Sequence, residues 1–218
     1  MIIHTGMRTD IRAFYSEWFL HRIQEGMVCV RNPYNPSQVT KYRLSPEVVD
    51  LIAFCTKNPA PMLSHMDALK PYGQYWFVTI TPYGRDIEPN VPDKVIVMEH
   101  FKQLSKLVGL DSVGWRYDPI LVDPVHSVNW HISQFEKMAR TLCGYTKTCV
   151  ISFIDLYKKV QKNFPEARIV AKEDRMTIGK AFIEIANRYG MVIKPCAEGN
   201  ELEKFGADCS DCMTVKTF

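Results

Sequence analysis

The feature that most constrains the fold is an alternation of short apolar runs with longer segments of helical spacing. Six runs have the length and apolar character of buried strands, at residues 1–4, 51–56, 75–81, 112–117, 148–154 and 191–195. Strands that alternate with helices favour parallel pairing through right-handed crossovers. The alternation therefore predicts an α/β protein built from (βα) units.

Four segments between these runs have the spacing of amphipathic helices. They span residues 12–25, 92–108, 127–142 and 173–189, and a glycine follows each within two residues: Gly26, Gly109, Gly144 and Gly190. Glycine is the residue that most often ends a helix, because it adopts the left-handed backbone conformation without strain. The repeated order of helix and then glycine supports the (βα) reading.

One insertion, at residues 27–44, interrupts this order. Strand-like pieces at 28–31 and 39–43 flank a turn-rich piece at 32–36, which predicts a β-hairpin after the first helix. The tripeptide Ser45-Pro46-Glu47 follows, with an N-cap residue, a first-turn proline and a first-turn acid. We therefore expect another helix to begin at Ser45.

The number of strands leaves two architectures open. Eight strands would make a closed barrel, whereas six fit either a partial barrel or a doubly wound sheet. A chain of 218 residues with no linker or low-complexity tract fits one domain. We predict a single domain over residues 1–218, a partial TIM-like (βα)6 barrel with the β-hairpin inserted after its first helix.

Charge and composition narrow the classes of partner. The net charge is only +3, from 27 basic and 24 acidic side chains, which does not favour nucleic acid by bulk electrostatics but leaves a local basic pocket open. The chain has no apolar run of 18 residues and no signal-peptide pattern at its first residues. We therefore expect a cytoplasmic protein that does not interact with membranes.

Polar motifs follow nearly every predicted strand, at the edge where (βα) folds bind their ligands. Candidate catalytic residues are Asp10, Arg116, Asp118 and Glu198. Candidate ligand-binding residues are Arg8, Lys57, Asn58, Thr81, Arg85, Ser152 and Asp155. Together they predict a charged site at the carboxyl ends of the strands.

The residue types in this set indicate its chemistry. Because side chains alternate along a strand, Arg116 and Asp118 are expected on one face. Arg8, Lys57 and Arg116 are donors suited to carboxylate or phosphate, while the carboxylates are proton acceptors or metal ligands. Arg8 with Asp10, and Arg116 with Asp118, also fit structural ion pairs, and this alternative stays open.

Motifs for several common chemistries are absent from the sequence. It contains no G-x-S-x-G nucleophile motif, no Walker loop and no G-x-G-x-x-G. The seven cysteines are expected to be free thiols, and Cys209 and Cys212 with Cys196 lack a fourth ligand, so we predict no metal site. We expect His126 and His131 at the surface.

Seven motifs, taken in order, resemble a mainly bacterial family defined as a domain of unknown function, family eighteen forty-eight. They are Arg-Thr-Asp-Ile to Ala-Phe-Tyr-Ser-Glu-Trp (8–18), Val-Arg-Asn-Pro-Tyr-Asn-Pro (30–36), Thr-Lys-Asn-Pro-Ala-Pro-Met (56–62), Thr-Pro-Tyr-Gly-Arg-Asp-Ile-Glu-Pro (81–89), Trp-Arg-Tyr-Asp-Pro-Ile (115–120), Ile-Ser-Phe-Ile-Asp-Leu-Tyr (151–157) and Cys-Ala-Glu (196–198). The resemblance extends over essentially the whole chain.

This resemblance implies a distant similarity to radical S-adenosylmethionine enzymes and to spore photoproduct lyase, which use a partial barrel of six (βα) units. It implies an iron–sulfur cluster and S-adenosylmethionine as cofactors of the family, with a cysteine-rich tail after Cys-Ala-Glu. The loop at 5–10 contains no cysteine, and we expect this chain to lack the tail, so its own cofactor stays unknown.

Three hypotheses follow for function. The first is a radical S-adenosylmethionine-like enzyme, and the second is a non-redox barrel that binds an anionic, nucleotide-like small molecule. The third is an inactive truncated chain. Nucleic acid stays open as a substrate of the first hypothesis.

Overall fold

A six-stranded parallel sheet lies at the centre of the protein. The computed structural model describes residues 1–6 and 9–210. Its strands, in chain order, are β1 (Ile2–His4), β2 (Met27–Arg31), β3 (Val39–Arg43), β4 (Leu51–Thr56), β5 (Gly73–Thr79), β6 (Val113–Ile120), β7 (Thr148–Phe153) and β8 (Val192–Pro195). The central sheet has the order β1-β4-β5-β6-β7-β8 with every pairing parallel, and β2 and β3 form a separate antiparallel hairpin. The predicted α/β class and the inserted hairpin are confirmed.

The helices connect the strands largely as the sequence predicts. They are α1 (Ile11–Phe14), α2 (Ser16–Gln24), α3 (Ala60–Leu63), α4 (Lys94–Val108), α5 (Val128–Leu142), α6 (Lys158–Asn163) and α7 (Lys172–Arg188), with 3₁₀ turns at Met66–Leu69 and Glu203–Phe205. Side chains cap two of the long helices, since Asp93 accepts from the Val95 amide at 2.8 Å and Ser127 from the Trp130 amide at 3.2 Å. Within residues 1–6 and 9–210, no helix is long and apolar enough to cross a membrane.

Two predicted helices differ from the structure. The segment 12–25 is divided at Tyr15, whose non-helical backbone separates α1 from α2. The helix expected at Ser45 is only a turn, in which the amides of Val48 and Val49 donate to the Ser45 carbonyl. The chain cannot continue as a helix because the next residues enter the sheet, where the Asp50 amide donates to the Met1 carbonyl at 3.0 Å.

One face of the sheet carries the helices and the main core. Side chains from alternate strand positions pack there against α4, α5 and α7, for example Trp115 against Phe135, and Phe135 against Phe182 with ring centroids 3.8 Å apart. A doubly wound sheet would have helices on both faces and a reversal in strand order. The order along the chain and the one-sided core therefore exclude the doubly wound alternative.

We call the opposite face, turned away from this core, the inner face. Tyr75, Phe77 and Val150 form a separate apolar cluster there, and Phe77 and Val150 are fully buried although the cluster contains only residues of the strands and their ends. The Tyr75 hydroxyl lies 3.4 Å from Thr148 Oγ1, two strands away, across the position of Gly114. Such burial favours a strongly curved sheet, and the partial barrel stays a prediction.

His126 and His131 are buried, so their expected surface position was wrong. His131 lies in the core, where its Nδ1 is 2.8 Å from the Tyr117 hydroxyl and its Nε2 is 2.8 Å from the Leu121 carbonyl. The carbonyl can only accept, so Nε2 carries the proton and Nδ1 accepts from the tyrosine. The pKa of His131 is lowered, chiefly because burial disfavours the charged imidazolium.

Acid should therefore destabilise the protein through His131. Because the folded-state pKa lies below the ordinary value of 6.5, the unfolded chain binds the proton more tightly, and stability falls as pH drops below 6.5 towards the folded pKa. We expect His131→Gln to flatten the pH dependence of the unfolding free energy between about pH 6.5 and 5, by at most about 1.4 kcal/mol per pH unit. Urea unfolding at stepped pH measures this, with exposed His21→Gln as control; equal slopes in wild type and His131→Gln would contradict it.

Candidate functional site

Arg116 and Asp118 of β6 form an ion pair on the inner face, where Arg116 lies beside Thr79, the last residue of β5. Arg116 donates from Nε and Nη2 to Asp118 Oδ2, at 3.1 and 2.5 Å. Ser152 of β7 donates to the other oxygen, Asp118 Oδ1. The structure thus places both residues on one face, as strand alternation predicts, and brings Ser152 to them. We call Arg116, Asp118 and Ser152 the Arg116 cluster.

The surroundings keep the Arg116 guanidinium charged. Burial alone would lower the pKa of Arg116, but the charge and hydrogen bonds of Asp118 outweigh it, and the pKa is raised. The side chain is 17% exposed, and the guanidinium carbon lies 5.8 Å from the centroid of the Phe77 ring. Asp118 engages the Nε and Nη2 edge, so Nη1 is the part of the fork that Asp118 does not occupy.

Two thiols and a histidine border this cluster. Cys55 of β4 and Cys196, directly after β8, pack against the apolar cluster of the inner face. Burial raises the pKa of Cys55, although Arg116 and Arg12 act in the opposite direction, so its thiol stays neutral near pH 7. His4 Nε2 lies 3.4 Å from Cys55 Sγ, which places His4 at the rim of the site.

Glu88 connects two of the predicted ligand-binding residues, although the sequence did not single it out. Its Oε1 accepts from Lys57 Nζ at 2.5 Å, and its Oε2 accepts from Thr81 Oγ1 at 2.6 Å. A turn in which the Glu88 amide donates to the Gly84 carbonyl folds the loop back towards β5. Glu88 belongs to the quoted segment 81–89, but it follows β5 by nine residues, and only that turn returns it to the site.

Hydrogen bonds to Asp10 connect the loop after β1 with the end of β4. Asp10 Oδ2 accepts from Thr56 Oγ1 at 2.8 Å and from the Lys57 amide at 2.9 Å, while its Oδ1 accepts from the Ala13 amide at 3.1 Å and caps α1. Arg12 Nη2 lies 3.4 Å from Oδ1. These contacts show that Asp10 has a structural role. Its catalytic role stays a prediction.

Glu198 lies at the ends of β7 and β8, three residues after Pro195. Its Oε1 accepts from the Phe153 amide at 2.7 Å, and its Oε2 pairs with Arg175 Nη1 at 3.1 Å. The pKa of Glu198 is raised because burial outweighs these two contacts, and Asp155 adds to the rise. The preceding Ala197 has a φ of 60°, a left-handed conformation that is costly for a residue other than glycine and is typical of functional turns.

The remaining predicted residues lie at the margin of the site. Asn58 stabilises its own turn, since its Oδ1 accepts from the Ala60 amide at 3.2 Å. Arg85 is exposed and lines a cavity of about 150 Å³ together with Thr81 and Glu88. Asp155 is exposed and accepts from the Tyr157 hydroxyl at 3.1 Å. The exposed side chains of Arg85 and Asp155 can therefore be reached by a ligand that approaches from solvent.

An iron–sulfur cluster does not fit the described residues. Within residues 1–6 and 9–210, no group of three or more histidine, cysteine, aspartate or glutamate side chains could hold a metal ion. The described cysteines are free thiols: Cys29, Cys55, Cys143, Cys149, Cys196 and Cys209. Arg8 and Cys212 lie outside the described residues, and so does the predicted pairing of Arg8 with Asp10.

A family comparison gives the relationship of this chain to other proteins. The model of a domain of unknown function, DUF1848, matches residues 2–218. The chain belongs to the DUF1848 family. The resemblance stated from seven motifs is therefore confirmed, and all eleven predicted site residues lie within those motifs. No curated protein matches the DUF1848 chain.

Proposed function

We propose that the DUF1848 chain binds a small anionic, nucleotide-like molecule at the carboxyl edge of its sheet, with Arg116 as the central cation. The observation that carries this proposal is the position of Arg116, largely buried on the inner face beside the last residue of β5. Charged side chains are rarely buried unless they have a partner or a purpose. Asp118 binds the Nε and Nη2 edge of the guanidinium, and the neutral Cys55 thiol also contacts Arg116 but supplies no counter-charge.

The chemistry around Arg116 supports an anion rather than a cation as the ligand. A guanidinium binds carboxylate or phosphate oxygens through paired N–H donors, and it stays charged at any physiological pH. Asp118, which would otherwise attract cations, is already bonded on both oxygens, by Arg116 and by Ser152. The Glu198 carboxyl, whose pKa is raised, can hold a proton closer to neutrality than an ordinary glutamate and could supply a proton donor to a bound substrate.

Thermal unfolding in the presence of inorganic phosphate tests this proposal. A ligand that binds only the folded protein stabilises it by RT ln(1 + [L]/Kd), about 2.7 kcal/mol at a hundredfold excess over Kd. We expect phosphate to raise the melting temperature of wild type and of Arg168→Ala, which removes an exposed surface arginine, but not that of Arg116→Ala.

Two outcomes would contradict this expectation. Equal phosphate stabilisation of wild type and Arg116→Ala would place the anion elsewhere. A far-ultraviolet circular dichroism spectrum of Arg116→Ala that shows an unfolded chain would make Arg116 a structural ion-pair partner. In that case Arg116→Lys, which keeps the charge but loses the planar fork, separates folding from recognition.

The second candidate function is a radical S-adenosylmethionine-like enzyme. The sequential order of six parallel strands, with helices on one side, is the observation that favours it. The lack of a three-ligand group within the described ranges opposes it. After anaerobic reconstitution of the chain with iron and sulfide, we expect no stoichiometric iron and no visible charge-transfer absorption. Stable binding of about one cluster per chain would favour this second candidate over the first.

A further inference from the structure

A second cavity, of about 620 Å³, lies between β1, the helices α1 and α2, and the strand β2. The end of β1 lines this cavity with His4, Thr5 and Gly6, and His4 also borders the Arg116 site through Cys55. The volume of the cavity falls within the range typical of small-molecule sites. We propose that this cavity binds a small amphipathic anion, with an apolar body and one carboxylate or sulfonate head.

The charges around the cavity are of one sign. In the part of the chain that the structure describes, its lining includes Arg22 and Arg31 but no aspartate or glutamate, and His4 is neutral because burial and the nearby arginines lower its pKa. Within residues 1–6 and 9–210, no ion pair involves either arginine. Among the described residues, Arg22 Nη2 lies 2.8 Å from His21 Nδ1, and the buried Arg22 Nε has no hydrogen-bond partner. An anionic head would supply the counter-charge that the described residues do not.

The rest of the lining is apolar. Phe19, Ile23 and Leu44 are buried at its base, while Tyr15 and Trp18 are 53% and 48% exposed at its opening. Large aromatic side chains left open to solvent beside a cavity are typical of ligand-binding surfaces, where they bury an apolar ligand at a low cost in conformational entropy. Because arginines and aromatic rings line the same cavity, we expect a ligand that has both an anionic head and an apolar body.

Two fluorescent probes of matched shape test this proposal. Anilinonaphthalene sulfonate carries the anionic head, whereas phenylnaphthylamine has the same rings without it. We expect saturable binding of the sulfonate at one site per chain. Arg31→Gln should weaken the sulfonate about tenfold, a loss near 1.4 kcal/mol, and leave the neutral amine unchanged. Arg43→Gln, on the neighbouring strand of the same hairpin and outside the lining, should change neither.

Further measurements keep the proposal falsifiable. Trp18→Leu removes part of the aromatic opening and should weaken the binding of both probes. Competition by dodecanoate or by naphthoate shows whether the site prefers a linear or a flat apolar body.

The proposal fails if the two probes bind equally to wild type, or if Arg43→Gln weakens the sulfonate as much as Arg31→Gln does. It also fails if the sulfonate signal follows dimerisation in analytical ultracentrifugation, which would make the cavity a contact between copies. Arg116→Ala should leave sulfonate binding intact, so this site and the phosphate site can fail separately.

Discussion

Replacement of Arg12 with alanine is expected to lower the free energy of unfolding by about 3–5 kcal/mol, as the loss of one partner of a buried ion pair typically does. The Arg12 side chain is 0% exposed. Its Nη1 donates to Thr5 Oγ1 at 2.6 Å, and its Nη2 lies 3.4 Å from Asp10 Oδ1. Alanine would leave a cavity and a partly buried aspartate without its cation, so both effects act in the same direction.

Urea and thermal unfolding, followed by circular dichroism, measure this loss. For a chain of this length the melting temperature should fall by roughly 10 °C. Arg188→Ala, which breaks the solvent-exposed pair with Glu136, is the control and should cost less than about 1 kcal/mol. A loss below about 1 kcal/mol for Arg12→Ala would mean that Asp10 keeps its position without the arginine.

The position of Arg12 also explains why residue 6 is a glycine. Gly6 has a φ of 105°, and a Cβ placed on it would lie 2.6 Å from Arg12 Nη2. Only glycine satisfies both the left-handed backbone and the close approach of the guanidinium. Since Asp10 in turn holds the Lys57 amide, the buried arginine supports one side of the candidate site through a short chain of contacts.

The sequence predicted the parts of this structure that depend on local spacing. The alternation of side chains along a strand correctly predicted that Arg116 and Asp118 lie on one face. The helix caps Asp93 and Ser127 lie within two residues of the predicted helix starts. The sequence predicted the central strands because parallel strands that are buried on both faces are apolar along their whole length. Each of these features can be recognised from neighbours along the chain.

The sequence could not predict contacts between distant segments. Arg12 lies in a segment of helical spacing where a charged residue is expected at the surface, yet it is buried against Phe54 of β4, whose ring centroid is 5.9 Å away. His131 is neutral and buried because Tyr117 and Leu121 supply its hydrogen bonds. In both cases the partner that permits burial becomes visible only once the strands are assembled.

Variants of the Arg116–Asp118 pair should affect the stability of the protein and its binding of phosphate in different ways. Removal of one partner from a buried ion pair costs about 3–5 kcal/mol, whereas replacement of both by apolar residues of similar volume is often neutral or stabilising by about 1–4 kcal/mol. We therefore expect Asp118→Leu alone to destabilise the protein, and Arg116→Met with Asp118→Leu to recover wild-type stability or exceed it.

The same double variant should show no stabilisation by phosphate, although it folds. Chemical denaturation of wild type, both single variants and the double variant forms a complete mutant cycle, and the phosphate titration is repeated on each. A double variant as unstable as the sum of its single variants would make the pair a structural element of the strand ends. A stable double variant without phosphate binding would instead show that two charges are retained on the inner face at a cost to stability, as expected of a binding site.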